Sequence, residues 1–344
     1  MTAPSNRDDA ELAGFARHIV LTLAVPALAQ GYADLVAKFR NDALLAEAVK
    51  QHGIDAALSE ESGEMARLRK SNKELVTAAE KIAERRMTDA VLERYPSHAV
   101  VGEEHGFTPG SDTRWVFDPV DGTSAMIRCA MTDAFGLPAP VPLPAFGITA
   151  GIVRGDEAVI GIVVELTSVG GQLHMGNIWE GSNAGTTCNG QLISPITPPD
   201  TLAQATLAST VPQVMFGTAE KWGGFQALAE ATRQCITDQN CIGFMHLLSS
   251  EKKIDIVYEA DLAYHDVAAL VPILQAAGIT TSNAAGNKLR FPETAIGTEF
   301  SILAASALLH KEALTRIRKG VEAGHNSFSA RDAAGKGYAQ KFSS

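Results

Sequence analysis

The sequence predicts an α/β protein, and three features of its patterning lead there. Residues 8 to about 94 carry apolar positions at helical spacing, through Leu12, Phe15 and Ile19 and again through Leu75, Ile82, Met87, Val91 and Leu92. From Ala145 short apolar runs alternate with turn residues in the manner of strands. Beyond residue 205 strand and helix patterns alternate to about residue 319, which builds sheets covered by helices.

Taken in order, the apolar run Ile19–Ala29 reads as part of an internal amphipathic helix. Asp8, Asp9 and Glu11 leave it without the net positive flank of a signal peptide, and the run alone is too short to span a bilayer. Tyr95-Pro96-Ser97 ends the helical region, and His98–Val101 reads as a strand leading into Gly102-Glu103-Glu104. Trp115-Val116-Phe117 is a second strand, with Asp118-Pro119-Val120-Asp121 at its carboxyl end and Gly122-Thr123-Ser124 opening a helix. Segment 130–144, with Pro138, Pro140, Pro142 and Pro144, is expected to be a loop.

Phe146–Val153, Ala158–Leu166 and Gln172–Met175 follow as strands. The alternating part is predicted as strand 205–211, helix 220–234, strand 254–259, helix 266–277, strand 300–304 and helix 305–319. The Gly-, Ser-, Ala- and Lys-rich tail 320–344 is expected to fray. The chain divides on this reading into 1–150, 151–319 and the tail, with the first part holding the Asp118–Thr123 segment.

With 46% hydrophobic and 20% charged residues, the composition is that of an ordinary globular protein. A net charge of −10 argues against nucleic acid as a partner, because such binding depends on Lys and Arg neutralising phosphates. It does not exclude a small phosphorylated metabolite, since bound Mg²⁺ reverses the local field of an acidic site. Cys129, Cys188, Cys235 and Cys241 have no zinc-site spacing and no disulfide framework, which points to a reducing cytoplasm. No membrane partner is expected.

Asp118 and Asp121 lie at the end of a strand, where open α/β sheets bind ligands, and they repel unless a cation or proton intervenes. The amides of Gly122, Thr123 and Ser124, at a helix start, suit an anion. Glu103 and Asp266 also stand at strand ends. Carboxylates for Mg²⁺ beside amides for phosphate point to phosphate chemistry, with two ions suited to an in-line displacement. Singly, each acid also reads as something plainer: Asp266 as a helix N-cap, Glu103-Glu104 as a solvated turn.

Together these motifs resemble the inositol monophosphatase family of Mg²⁺-dependent, often lithium-sensitive phosphatases. The resemblance is carried by Gly102-Glu103-Glu104, by Asp118-Pro119-Val120-Asp121-Gly122-Thr123, and by Glu259 through Asp266-Val267-Ala268-Ala269 to Ala276-Ala277-Gly278. The block Ile254–Gly278 looks most like the histidinol-phosphatase branch. The resemblance implies a five-layer αβαβα sandwich of the inositol monophosphatase/fructose-1,6-bisphosphatase type and a homodimer. It implies a first Mg²⁺ on Glu103, Asp118 and the Val120 carbonyl, and a second on Asp118, Asp121 and Asp266, with two or three ions per site and inhibition by Li⁺. Phosphate is expected on Gly122 and Thr123 with Ser124 beside them. Thr123 and Glu80 would orient the attacking water, and Glu259 would meet the substrate's hydroxyl or amino groups.

The chain departs from the family in having Glu80 where Asp is usual, and Ala277-Gly278-Ile279 where Ala-Gly-Gly is usual. His265 is expected to be pocket wall or a structural histidine rather than a general acid. The loop 128–144 is longer than usual, and its Arg128, Met131 and Phe135 are expected to shape substrate access or a dimer contact. The helical segment Tyr32–Leu68 is also longer, with no assigned role. A haloacid dehalogenase-type phosphatase needs Asp-x-Asp, and the spacing of three fails that pattern by one residue. A non-catalytic relic finds support only in Glu80 and the altered third block, and an EF-hand loop fails for want of alternating ligands.

Overall fold

This computed structural model describes residues 6–54, 63–138, 145–193, 197–249 and 254–324. The helical spacing at the front of the chain produces α1 (Asn6–Ile19), a π-helical turn (Val20–Ala24) and α2 (Val25–Arg40). Pro26 has no N–H to return to the preceding turn, and the wider π turn takes up that mismatch. One helical run, Asp8–Arg40, results; at 33 residues it is long and apolar enough to cross a membrane by length and composition, which corrects the count made on Ile19–Ala29 alone. Here its face of Ile19, Val20, Leu28, Tyr32, Leu35 and Phe39 is buried in the protein core. Then come α3 (Ala43–His52), capped by Asp42, and α4 (Gly63–Arg94), which ends before Pro96 as expected.

The next strands are β1 (Ala99–Gly102), β2 (Gly106–Thr108) and β3 (Thr113–Asp121). After α5 (Thr123–Phe135) come β4 (Phe146–Arg154), β5 (Glu157–Val169), β6 (Gln172–Ser182), β7 (Gly185–Cys188) and β8 (Gln191–Leu192). They form an eight-stranded sheet in the order β2-β1-β3-β4-β5-β6-β7-β8. Only β1 and β3 run parallel; the other neighbours are antiparallel. Residue 150 lies inside β4, and the change from one sheet to the next falls between Leu192 and Thr206.

The second sheet has five strands: β9 (Thr206–Ala208), β10 (Gln234–Ile236), β11 (Ile256–Leu262), β12 (Thr280–Ser282) and β13 (Phe300–Ala305), in the order β10-β9-β11-β13-β12. Its helices are α6 (Pro212–Met215), α7 (Ala219–Ala231), α8 (Asn240–His246), α9 (Tyr264–Ala268), α10 (Leu270–Ala276) and α11 (Ala307–Gly324). Three apolar clusters bind the layers. One joins α1, α2, α4 and α5 to the large sheet, a second joins that sheet through α8, α9 and α10 to the small sheet, and a third joins the small sheet to α7 and α11. That is the five-layer αβαβα order expected.

Glycines set how closely the middle helices lie on the large sheet. A Cβ on Gly161 would fall 1.9 Å from the Ala269 carbonyl oxygen, and one on Gly181 would fall 2.2 Å from the Ile273 Cα. The backbone of the Ala269 junction and of α10 therefore rests directly on β5 and β6.

Several expectations need correction. Segment 130–144 is not all loop: α5 runs to Phe135 and stops at Gly136 with φ 62°, because the prolines begin only at Pro138; residues 139–144 lie outside the described ones. Met131 is buried in the core rather than at an entrance. The strand expected at 205–211 is only three residues long, because Pro212 starts α6. The helix expected at 266–277 starts at Tyr264 and divides at Ala269; Pro272 cannot donate to the Ala268 carbonyl. The tail starts later than expected, since α11 reaches Gly324; residues 325–344 lie outside the described ones.

Candidate active site

A β-bulge builds the centre of the site. On β3, Asp118 pairs with Thr149 and Asp121 with Gly147, so three steps on one strand match two on the other. Side chains three apart on a regular strand face opposite ways, and the extra residue turns both aspartates to one side. Pro119 is tolerated because the pairing of β3 with β1 ends at Phe117, leaving no ladder bond for it to donate. The Val120 amide donates to Asp118 Oδ1 at 2.9 Å and closes the turn.

Gly122 follows with φ 102° and ψ 38° and caps α5. A Cβ there would stand 2.7 Å from Asn240 Nδ2 and 2.8 Å from the Phe146 Cβ. Gly122→Ala is expected to cost about 1–3 kcal/mol of stability, read by urea unfolding, since both backbone and space resist it. The amides of the first turn of α5 supply the positive end of a helix beside the two aspartates. The Ser124 side chain is exposed there.

Behind this turn, α4 presents a buried face made of Val76, Ala79, Glu80, Ala83, Glu84, Met87 and Val91. The Thr123 hydroxyl donates to Glu80 Oε1 at 2.7 Å and lies 3.3 Å from the Val120 carbonyl. The extra methylene of Glu80 therefore leaves the pair with Thr123 intact. Burial, and then Glu103 and Glu104, push the Glu80 carboxyl up to about 8, against the pull of the Thr123 hydrogen bond.

Glu103 follows β1, and its carboxyl lies close enough to that of Asp118 for the two to shift each other's pKa. Asp266 sits in the first turn of α9, where its Oδ2 accepts the Ala263 amide at 2.6 Å. It is thus the third residue of the helix and not the N-cap itself. Tyr264 anchors this turn: it is buried, its hydroxyl accepts from Arg114 Nε at 3.2 Å and donates to the Phe291 carbonyl at 2.7 Å. His265 Nε2 stands 3.4 Å from Asp266 Oδ1, beside the acids.

These carboxyls disturb one another. Desolvation raises Asp118 far above its ordinary value, and Glu103, Asp121 and Asp266 add to it. Desolvation and then Asp266 push Asp121 to about 7, although the Cys241 amide donates to its Oδ2. Glu103 and Asp266 are raised by desolvation first, with nearby His265 pulling each back. Among the described residues no Lys or Arg forms an ion pair with any of the four.

The donor set is entirely hard oxygen, four carboxyls and the Val120 carbonyl, and its uncompensated charge suits Mg²⁺. Among the described residues no three His, Cys, Asp or Glu side chains already stand at ligand geometry. The fit to a cation therefore rests on donor chemistry and charge.

The far wall comes from the small sheet. Glu259 on β11 is buried, and its Oε1 accepts from the Thr210 hydroxyl at 2.9 Å. Its Oε2 is buried with no hydrogen-bond partner among the described residues. Burial pushes this carboxyl up to about 8. The Asn240 amide donates to Thr210 Oγ1 at 3.0 Å, and Asn240 Nδ2 donates to the Ala145 carbonyl at 2.6 Å. Arg128 on α5 pairs with Asp238 and so ties that helix to the 237–241 segment.

Reading of the sequence missed Glu84, Thr210, Asn240 and Cys241 as parts of the site. Glu84 was legible as the buried-face repeat one turn after Glu80. Asp238 and Asn240 hold φ of 65° and 46°, a conformation their residue types tolerate, but Asp-Gln-Asn reads simply as a turn.

Residues 20–323 match the inositol monophosphatase family. The chloroplastic bifunctional phosphatase IMPL2 of Arabidopsis thaliana is 28% identical over 280 residues, covering 77% of this chain and 74% of that protein. The Nus factor SuhB of Pseudomonas aeruginosa is 44% identical over 63 residues, covering 17% of this chain and 23% of that one. An inositol monophosphatase structure from Zymomonas mobilis superposes with a TM-score of 0.60 at 23% identity, covering 92% of this chain and all of the other. The order of motifs, the five-layer fold and the match along most of its length agree: the chain belongs to the inositol monophosphatase family.

Proposed function

We propose that this protein is a Mg²⁺-dependent phosphomonoesterase that hydrolyses a small phosphorylated metabolite by direct attack of water. The observation that carries the reading is the cluster of Glu103, Asp118, Asp121 and Asp266, paired with no Lys or Arg among the described residues, beside the first turn of α5. Glu103, Asp118 and the Val120 carbonyl would hold one Mg²⁺, and Asp118, Asp121 and Asp266 another. When bound, the ions supply charge for the phosphoryl oxygens and make water more acidic.

The chain's own groups do the rest. The amides of Gly122 and Thr123 receive the phosphate at the helix start. The Thr123 hydroxyl orients the attacking water, and Glu80 in its ionised form, hydrogen-bonded to that hydroxyl, takes up the proton. Glu80→Ala is expected to lower kcat about 10²–10⁴-fold with KM little changed, in steady-state phosphate release. Glu259, with an oxygen left over beyond Thr210, faces a hydroxyl or amino group of the substrate.

An inositol monophosphate-like or histidinol phosphate-like ester fits such a wall, and the Ile254–Gly278 block favours the latter. A panel of purified phosphate esters tests this: preference for a bulky aryl phosphate over both would sink the small-metabolite assignment. Li⁺ is expected to inhibit by competing with Mg²⁺. The four free thiols agree with a reducing cytoplasm, and a homodimer is part of the same proposal, checked by light scattering. A role without turnover draws on the Nus factor name of the Pseudomonas relative; Mg²⁺-dependent phosphate release would exclude it as the sole role.

A further inference from the structure

Glu84 has no part in the chemistry proposed above, yet it is completely buried and fully engaged with one segment. Its Oε2 accepts the Glu104 amide at 2.9 Å. Its Oε1 accepts the His105 amide at 2.8 Å and lies 2.8 Å from His105 Nδ1. On the other side of Glu103, a Cβ built on Gly102 would come within 2.1 Å of Glu84 Oε1. The Glu103 amide itself donates to the Phe117 carbonyl on β3 at 3.2 Å. Residues 102, 104 and 105 therefore wrap one carboxylate, while residue 103 is tied to the strand that bears Asp118.

We infer that Glu84 is a positioning residue for Glu103, holding its turn so that the Glu103 carboxyl meets Asp118 and the cation they would share. The inference rests on the metal reading of the site. Physically, the turn from β1 has amides that point inward with no strand to receive them, and a carboxylate can accept all of them at once. Helix α4 thus serves the site twice from one face: Glu80 reaches Thr123, and one turn later Glu84 fixes the turn that carries Glu103.

An amide at position 84 would set an NH₂ against inward-pointing N–H donors, so one end of the turn must let go. Glu84→Gln is expected to weaken Mn²⁺ binding about 10- to 100-fold, measured by the electron paramagnetic resonance of free Mn²⁺ without substrate. In turnover assays the half-activating Mg²⁺ concentration should rise similarly, with kcat recovering at saturating Mg²⁺. Gly102→Ala, pressing on the same carboxylate from the loop side, should weaken Mn²⁺ binding as well, and decides the matter should Glu84→Gln fail to fold. Val91→Ala, on the same buried face of α4, should lower stability and leave Mn²⁺ affinity unchanged. Wild-type affinity in both Glu84→Gln and Gly102→Ala would overturn the inference alone. A wild type that binds no Mn²⁺ would overturn it together with the metal reading.

Discussion

Asp121→Asn is expected to abolish phosphate release while raising the thermal stability of the metal-free protein. Asparagine has the shape of aspartate and keeps an oxygen for the Cys241 amide, so the turn should survive. What it removes is one negative charge from a cluster in which Glu103 and Asp266 raise the pKa of Asp118 and Asp121, and Asp121 raises that of Asp118. In the absence of a cation that repulsion opposes folding, and its loss stabilises. The same substitution removes a ligand of the second ion, and kcat should fall by more than about 100-fold, the upper end for groups that merely orient a ligand. Calorimetry of chelated samples beside phosphate-release assays reads both. A variant that loses activity by unfolding, with a lowered Tm, would contradict the argument, as would one that retains turnover.

The second large effect joins pH to metal. Glu80 and Glu259 have folded-state pKa values near 8, and Asp121 near 7, against about 4 for free carboxyls. The folded protein therefore holds protons that the unfolded chain has already released. Raised carboxyl pKa values give stability that is fully present below the unfolded value and is lost as pH climbs through the folded one. Metal-free protein should accordingly melt at progressively lower temperature between pH 5 and pH 8. The slope is up to about 1.4 kcal/mol per pH unit for each such carboxyl. Mg²⁺ should restore stability, and restore most at pH 8, where protons no longer offset the charge. A melting temperature that is flat from pH 5 to pH 8, or a Mg²⁺ gain that shrinks as pH rises, would count against the acidic-cluster electrostatics.

Much of this site was legible in the chain because its donors sit next to one another in sequence. Asp118, Asp121, Gly122 and Thr123 occupy a single turn, and their spacing of three already set them apart from an Asp-x-Asp pair. Glu103 and Asp266 were found because both follow apolar strand patterns. The bulge itself was not legible, since it depends on the register of β3 against β4. Nor was the 237–241 segment: β10 and α8 on either side of it have three and seven residues, too short for a periodic signal. The prolines of 138–144 drew the predicted loop back over residues 130–135, where the apolar spacing of Met126, Ala130 and Met131 continues a helix. Glu80 illustrates the converse. Sequence marked it as a departure, and only the structure shows that helix α4 brings the longer side chain within 2.7 Å of Thr123.

The most direct measurement is a Mg²⁺ titration of phosphate release, starting from fully chelated protein and using an ester that the substrate panel has shown to be turned over. Release should be absent without Mg²⁺, rise saturably as Mg²⁺ is added, and stay absent at all Mg²⁺ concentrations in Asp121→Asn. Undiminished turnover in the chelated sample would contradict the mechanism, and so would phosphate trapped covalently on Asp118.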